Sequence, residues 1–305
     1  MDEVTAVVAR EFPNKRVASA VAARRGNSKD TTLVHFADGS GVVVQSSADR
    51  EAFETELALA RAVRERTSVP TPEVLTTGEF DGRTYAVVEL VTGEDLHERF
   101  AVVDDETRRR LAERFGRYLA ELHETFAFER YGPVRRDGDE LRAANPSWPA
   151  WFGSHAEAGI DALPAAFDGV REELRRCVRD ADLPATPTPR LYPWDFRPGN
   201  AVYDGEGVAA VLDWGAPLAA AAGLSVAKAE HLVADWYVED ERLRAAFERG
   251  YDSVRTYPDV SDVYRVVAVV RSAVDSGGVV TRPRYPELEG AAAVEFHLGR
   301  LREWV

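Results

Sequence analysis

Asp195, Asn200 and Asp213 fall within one short stretch, Arg190 to Trp214, and between them carry two carboxylates and an amide. Pro198-Gly199 forces a turn between Asp195 and Asn200. Val208 to Leu212 is an apolar, strand-like run that would present Asp213 rigidly at its end. The stretch therefore predicts a loop, a short strand, a second hairpin strand and an acidic tip. Such a kit suits phosphoryl transfer, in which one carboxylate takes the proton of an attacking hydroxyl while an Asn and an Asp hold Mg²⁺ against nucleotide phosphates. A metal-dependent hydrolase using Asp195 and Asp213 is the competing chemistry. It lacks the His ligands that such sites usually need near the carboxylates.

The order Asp-x-x-x-x-Asn, followed a short hairpin later by Leu212-Asp213-Trp214, resembles the catalytic loop and metal-binding segment of the aminoglycoside phosphotransferase family, small-molecule kinases with a protein-kinase-like fold. That family usually reads H-G-D-x-x-P-x-N and then I/L-D-W/F. Pro198 and Asn200 fall on the pattern, whereas the His-Gly is Pro193-Trp194 here. The resemblance implies Asp195 as catalytic base, Asn200 and Asp213 as metal ligands, ATP and Mg²⁺ as cofactors, and a small-molecule alcohol as acceptor.

The elements that must position these residues read as follows. Residues 3–11 have helical spacing, stopped by Phe12-Pro13-Asn14. Strands are expected over 16–23, 31–36 and 41–45, with Asp38-Gly39 as a tight turn. An amphipathic helix follows over 49–66, with Phe53, Leu57, Ala60 and Val63 on one face and Glu56 on its inner part. Two more strands, at 74–75 and 85–90, complete a five-stranded antiparallel sheet with one inserted helix. This layout and the phrase Val-Pro-Thr-Pro-Glu-Val-Leu (69–75) resemble the amino-terminal lobe of the same family. Glu89 and Leu90 would then lie along the adenine. The turn Gly26, Asn27, Ser28 and Lys29 could bring backbone N–H groups to phosphates.

After Gly93 the pattern becomes helical, so the expectation is an α+β, bilobal, protein-kinase-like fold: a nucleotide-binding lobe over 1–92 and a mainly helical lobe over 93–305 with the catalytic loop and substrate site. A long helix capped by Asp104 or Asp105 ends in Leu-Ala-Glu-Leu-His123, similar to the family's L-A-x-L-H, and His123 reads as a packed, structural imidazole. Further helices are expected from Trp148, over 165–182, 224–238, 242–251, 260–275 and 288–304. Residues 126–133 and the Gly138-Asp139 region read as loops, and Ala219 to Ala222 as a low-complexity tract.

One position departs from the family in a way that bears on chemistry. The lysine expected at the end of Val42-Val43-Val44 is Gln45, which supplies no charge and leaves Glu56 without its ion-pair partner. Losing one preorganised donor of this kind costs on the order of 10²–10³ in rate. Three readings follow: Lys29 reaches the phosphates from the neighbouring turn, the enzyme is slow, or the chain is a nucleotide-binding pseudokinase with a regulatory role. A further family Asp after the Asp-Trp motif is Ser225 here.

With 52 acidic against 38 basic side chains over 305 residues the formal charge is −14, so nucleic acid and anionic membranes are not expected as partners. Lys15, Lys29 and Lys228 are the only lysines, and an acidic, Arg-rich composition of this kind predicts a halophile's protein, the alternative being an ordinary acidic protein from a GC-rich genome, which also favours Arg over Lys. The single cysteine, Cys177, has no partner for an internal disulfide. The Met-Asp-Glu start lacks a basic n-region and an apolar h-region, which predicts a cytoplasmic location. The segments that would choose the acceptor, 134–189 and 215–290, carry no portable code.

Overall fold

The computed structural model describes residues 3–23 and 29–305. Helix α1 (Glu3–Glu11) leads into an antiparallel sheet of β1 (Val17–Ala22), β2 (Asp30–Phe36), β3 (Gly41–Ser47), β4 (Val74–Phe80) and β5 (Arg83–Glu89), in the order β1-β2-β3-β5-β4. Alternation along these strands divides their side chains between two faces. Val34, Phe36, Val42, Val44, Tyr85 and Val87 pack with Val7 and Val8 of α1, while Val43, Ala86 and Val88 pack with Phe53 and Leu57 of helix α2 (Arg50–Arg66). Helix α2 starts where Asp49 accepts a hydrogen bond from the Ala52 amide at 3.0 Å, which satisfies one of its free first-turn donors.

The remainder is mainly helical. The two-residue strand β6 (Glu94–Asp95) and helix α3 (Leu96–Val102) precede the long helix α4 (Asp105–Thr125), which Asp104 caps through the Thr107 amide at 2.9 Å. The strand β7 (Gly132–Pro133) and a hairpin of β8 (Arg135–Asp137) and β9 (Glu140–Arg142) follow, then helices α5 (Trp148–Ala162) and α6 (Asp168–Asp180). Next come β10 (Pro189–Tyr192), a 3-10 turn at Pro198–Asn200, the pair β11 (Ala201–Tyr203) and β12 (Val208–Val211), and β13 (Leu218–Ala221). Helix α7 (Ala222–Glu230) continues through a π-turn at His231–Asp235, and α8 (Arg242–Asp252), α9 (Asp262–Val270) and α10 (Ala291–Arg302) complete the chain.

Helices α4 and α8 meet at glycines from both sides. A Cβ on Gly116 would sit 1.9 Å from the Phe247 carbonyl oxygen, and one on Gly250 would sit 1.8 Å from that of Glu113. Only the missing side chains let these backbones touch. His123, near the end of α4, is fully buried between the Tyr251 hydroxyl at 2.7 Å (Nδ1) and the Ser225 hydroxyl at 3.0 Å (Nε2). Burial pushes its imidazole down to about 3, so it is neutral and structural.

One sequence expectation is corrected: Gly132–Pro133, read as part of a loop over 126–133, is strand β7, paired with Leu218 and Ala219 of β13. The Gly138-Asp139 region is the turn of the β8–β9 hairpin, and Ala219 to Ala221 form a core strand paired with Pro189 to Leu191. A two-residue strand such as β7, whose partner is distant in sequence, shows no period of its own. Among the described residues no helix is long and apolar enough to cross a membrane.

Candidate active site

A cleft of about 940 Å³ opens between the sheet with α2 and the helical part, and Lys29, Glu56, Trp194, Asp195, Arg197, Asn200, Asp213, Lys228 and Arg271 all line it. The segment that carries Asp195 and Asn200 is held at both ends. β10 lies against β13, and β11 pairs with β12 on one side and β6 on the other, so the loop between β10 and β11 has little freedom. The Leu212 amide donates to the Asn200 carbonyl at 2.7 Å, tying the approach to Asp213 directly to the loop.

Within the loop, the Asn200 side-chain amide donates to Asp195 Oδ2 and to the Asp195 carbonyl, each at 2.9 Å. Both bonds use the nitrogen, so Asn200 Oδ1 is left with its lone pairs for a cation. Asp195 Oδ1 forms an ion pair with Arg197 Nε at 2.9 Å, and the guanidinium lies 5.6 Å from the centre of the Trp236 ring. Asp195 is thus oriented on both oxygens.

Asp213 follows β12 in a left-handed backbone conformation, φ 60°, unusual for a residue with a side chain. Gly215 makes room for it: a Cβ there would lie 3.3 Å from Asp213 Oδ1 and 3.4 Å from Glu56 Oε2. Into this corner comes Lys29, from the residue just before β2. Its ammonium pairs with Glu56 and lies 3.3 Å from Asp213 Oδ1. Burial disfavours the charged amine, but the two carboxylates outweigh it and hold Lys29 above its ordinary range. The pair to Glu56 is nearly closed to solvent, at 10% and 12% side-chain exposure, whereas Asp213 is 45% exposed to the cleft.

Gln45 sits in β3 opposite Thr31 and Ala86, on the α2-facing side with Val43, and is not among the residues lining the cleft. Glu89 and Leu90 likewise do not line it. Glu89 pairs with Arg64 at 3.5 Å and accepts from the Glu73 amide at 3.1 Å, and Leu90 covers Gly41. Gly26, Asn27 and Ser28 lie outside the described residues.

The sequence reading missed what surrounds the loop between β10 and β11. Helix α2, which carries Glu56, is gripped by the β8–β9 hairpin: the Arg136 amide donates to Thr55 Oγ1 at 3.0 Å, and Arg135 and Arg136 pair with Glu51 and Glu54 at 3.2 and 3.3 Å. Lys228 of α7 lies over the face of Trp194, 3.2 Å from the ring centre, and Arg271, just after α9, lies 5.0 Å from the same centre. Two cations on one indole have no signature in a linear sequence, because α7 and α9 meet only on folding. The available hint was the indole itself, in the place where the resembled loop has glycine.

The family model described as the phosphotransferase enzyme family matches residues 19–263. Comparison with curated proteins finds no match. Among solved structures, the fold is similar to aminoglycoside phosphotransferase APH(4)-Ia in a ternary complex with ADP and hygromycin B, with a TM-score of 0.68, 17% identity, and 99% of this chain and 98% of that one covered. It is similar to APH(2")-IIIa bound to GDP and kanamycin, with a TM-score of 0.64, 16% identity, and coverage of 88% and 90%. A candidate fructosamine-3-kinase from Thermobifida fusca also matches, with a TM-score of 0.61, 17% identity, and 99% of each chain covered. The architecture is accordingly the bilobal, kinase-like one. With the family model covering most of its length, the chain belongs to the phosphotransferase enzyme family.

Proposed function

We propose that this protein transfers the γ-phosphate of ATP to a hydroxyl of a small molecule, with Asp195 as catalytic base and Lys29 in the role that the family gives to a lysine at the position of Gln45. The observation that carries the reading is the Lys29–Glu56 ion pair beside Asp213, at the end of the cleft that also holds Asp195 and Asn200. In the step itself the acceptor oxygen attacks the γ-phosphorus, the bond to the β,γ-bridging oxygen breaks, ADP leaves, and the hydroxyl proton passes to Asp195. The two contacts from Asn200 and Arg197 hold the Asp195 carboxylate in one orientation, which is what a positioned base requires.

The donor set fits Mg²⁺, a hard cation that takes oxygen ligands and is held by few protein carboxylates when phosphates supply the rest. Asn200 Oδ1 and the cleft-exposed Asp213 carboxylate would hold it. Bound there, the ion would neutralise phosphate charge. Among the described residues no group of three or more His, Cys, Asp and Glu stands close enough to hold a metal alone, which favours a nucleotide-dependent site over a hydrolase centre. The neighbour complexes with ADP and GDP support a nucleoside-phosphate donor. The backbone at Glu89 and Leu90 is the proposed adenine contact, and Gly26, Asn27 and Ser28 the proposed cover over the phosphates. We place the boundary between the lobes at residues 92 and 93.

The test is ADP release from Mg·ATP across a panel of alcohols, in low and in molar KCl to match the acidic composition. Asp195→Asn should abolish acceptor-dependent release and leave nucleotide binding intact. A wild-type chain that binds Mg·ATP but phosphorylates none of the panel would favour the pseudokinase alternative.

A further inference from the structure

Lys228 is 3% exposed, yet among the described residues no carboxylate comes within ion-pair distance of it. Its closest polar contact is a long one, 3.5 Å to the Arg271 carbonyl, and otherwise it rests on the Trp194 ring. Arg271, on the same ring, also lacks a carboxylate partner among the described residues, and its Nε is buried without a hydrogen bond. Nearby charges make this worse. Arg197 and Arg271 both oppose the Lys228 ammonium, Asp195 alone favours it, and burial pushes it down to about 7. His155, which packs edge-on to Trp194, is held neutral by burial, with Arg271 and Lys228 acting in the same direction.

Buried cations are normally paired, because desolvation is expensive unless an opposite charge replaces water. Here one buried and one half-buried cation, neither with a carboxylate partner among the described residues, share one aromatic platform in the wall of the cleft, next to the residue proposed as base. The cleft already has a separate cation, Lys29, which is paired with Glu56 beside Asp213 and proposed for the nucleotide. We infer that Lys228 and Arg271, converging on Trp194, form the binding site for an anionic group, carboxylate or phosphate, carried by the acceptor alcohol. The inference rests on the phosphotransfer reading for the word acceptor, while the anion site itself does not depend on it. A planar guanidinium and a point-like ammonium together suit either anion. The indole holds both cations in place before the ligand arrives. A cationic acceptor would meet two like charges here.

The test uses four three-carbon alcohols of similar size: glycerate, glycerol 3-phosphate, glycerol, and the cationic 2-amino-1,3-propanediol. Affinities are measured by ligand-observed NMR on the whole chain, with Mg·AMP-PNP titrated into parallel samples. At least one of the two anions should bind tighter than glycerol and the amine by about ten-fold or more, the worth of one charge-assisted hydrogen bond. Which anion binds tighter separates carboxylate from phosphate. Lys228→Met should remove the preference and leave AMP-PNP affinity unchanged. If that variant fails to fold, Arg271→Met on the half-buried side makes the same test. Anions that bind no better than glycerol, or whose preference survives both substitutions, would overturn the inference. So would a loss of AMP-PNP affinity in Lys228→Met equal to the loss of anion affinity, since the cations would then serve the nucleotide. Failure of the wild-type chain to bind AMP-PNP, with the anion preference intact, would remove the phosphotransfer reading and leave the anion site standing.

Discussion

The Lys29 ammonium lies 3.3 Å from Asp213 Oδ1 while it pairs with Glu56, so one lysine links the start of a strand, a helix and a residue just after the β11–β12 hairpin. These three groups come from distant parts of the sequence, and the lysine arrives from the start of β2 rather than from β3. The neutral Gln45 is therefore tolerable, since the carboxylate it would otherwise strand already has a partner.

Removing that partner should be costly. Lys29→Ala is expected to lower kcat/KM by about 10²–10³, the usual loss for one preorganised electrostatic donor. Gln45→Lys should restore part of the loss in the Lys29→Ala background. In the wild-type background it would place two ammonium groups against Glu56 and bring little gain. Steady-state kinetics on the three variants checks this, and a large gain from Gln45→Lys alone would show that Lys29 does not fill the role.

How the site could be read from the sequence depends on distance along the chain. Asp195, Asn200 and Asp213 were legible because only a Pro-Gly turn and one short hairpin separate them, and local turn chemistry fixes their relation. The five strands of the sheet were legible from alternation and from turns such as Asp38-Gly39. Lys29 could be suspected as the sole lysine in the amino-terminal sheet, Lys15 lying before its first strand, but its contact with Asp213 is a tertiary fact. Lys228 and Arg271 were illegible. Net charge of −14 says nothing about one indole face on which two cations converge. The Ala219 to Ala222 tract, bland as a sequence, is the strand and helix start that set Lys228 in place.

The unpaired ammonium of Lys228 has a thermodynamic consequence. Its folded value, pushed down to about 7 chiefly by burial, lies below that of an unfolded lysine, about 10.4. Between these limits the unfolded chain binds more protons, so this group makes stability rise with pH across that window. The cost of the buried charge is fully present below pH 7. Lys228→Met should flatten this slope in thermal melts between pH 6 and 9 and raise Tm at pH 6. A slope unchanged by the substitution would mean that Lys228 is solvated or paired in solution.

The grip of the β8–β9 hairpin on α2 is expected to matter for both stability and rate. Thr55→Val keeps the volume but leaves the Arg136 amide without its acceptor, a loss of about 1–3 kcal/mol when the donor stays out of water. Denaturant midpoints measure the first effect. Because Glu56 is the next residue along α2, kcat should also fall, and a variant that loses stability with no change in kcat would show that the hairpin does not position Glu56.

Calorimetric titration of Mg·AMP-PNP into the wild type, Lys29→Ala and Gln45→Ala measures directly which residue meets the nucleotide phosphates. The prediction is that Lys29→Ala weakens binding by about ten-fold or more, as expected for the loss of one charged contact, while Gln45→Ala leaves it unchanged. Weakened binding in Gln45→Ala with an unaffected Lys29→Ala would contradict it.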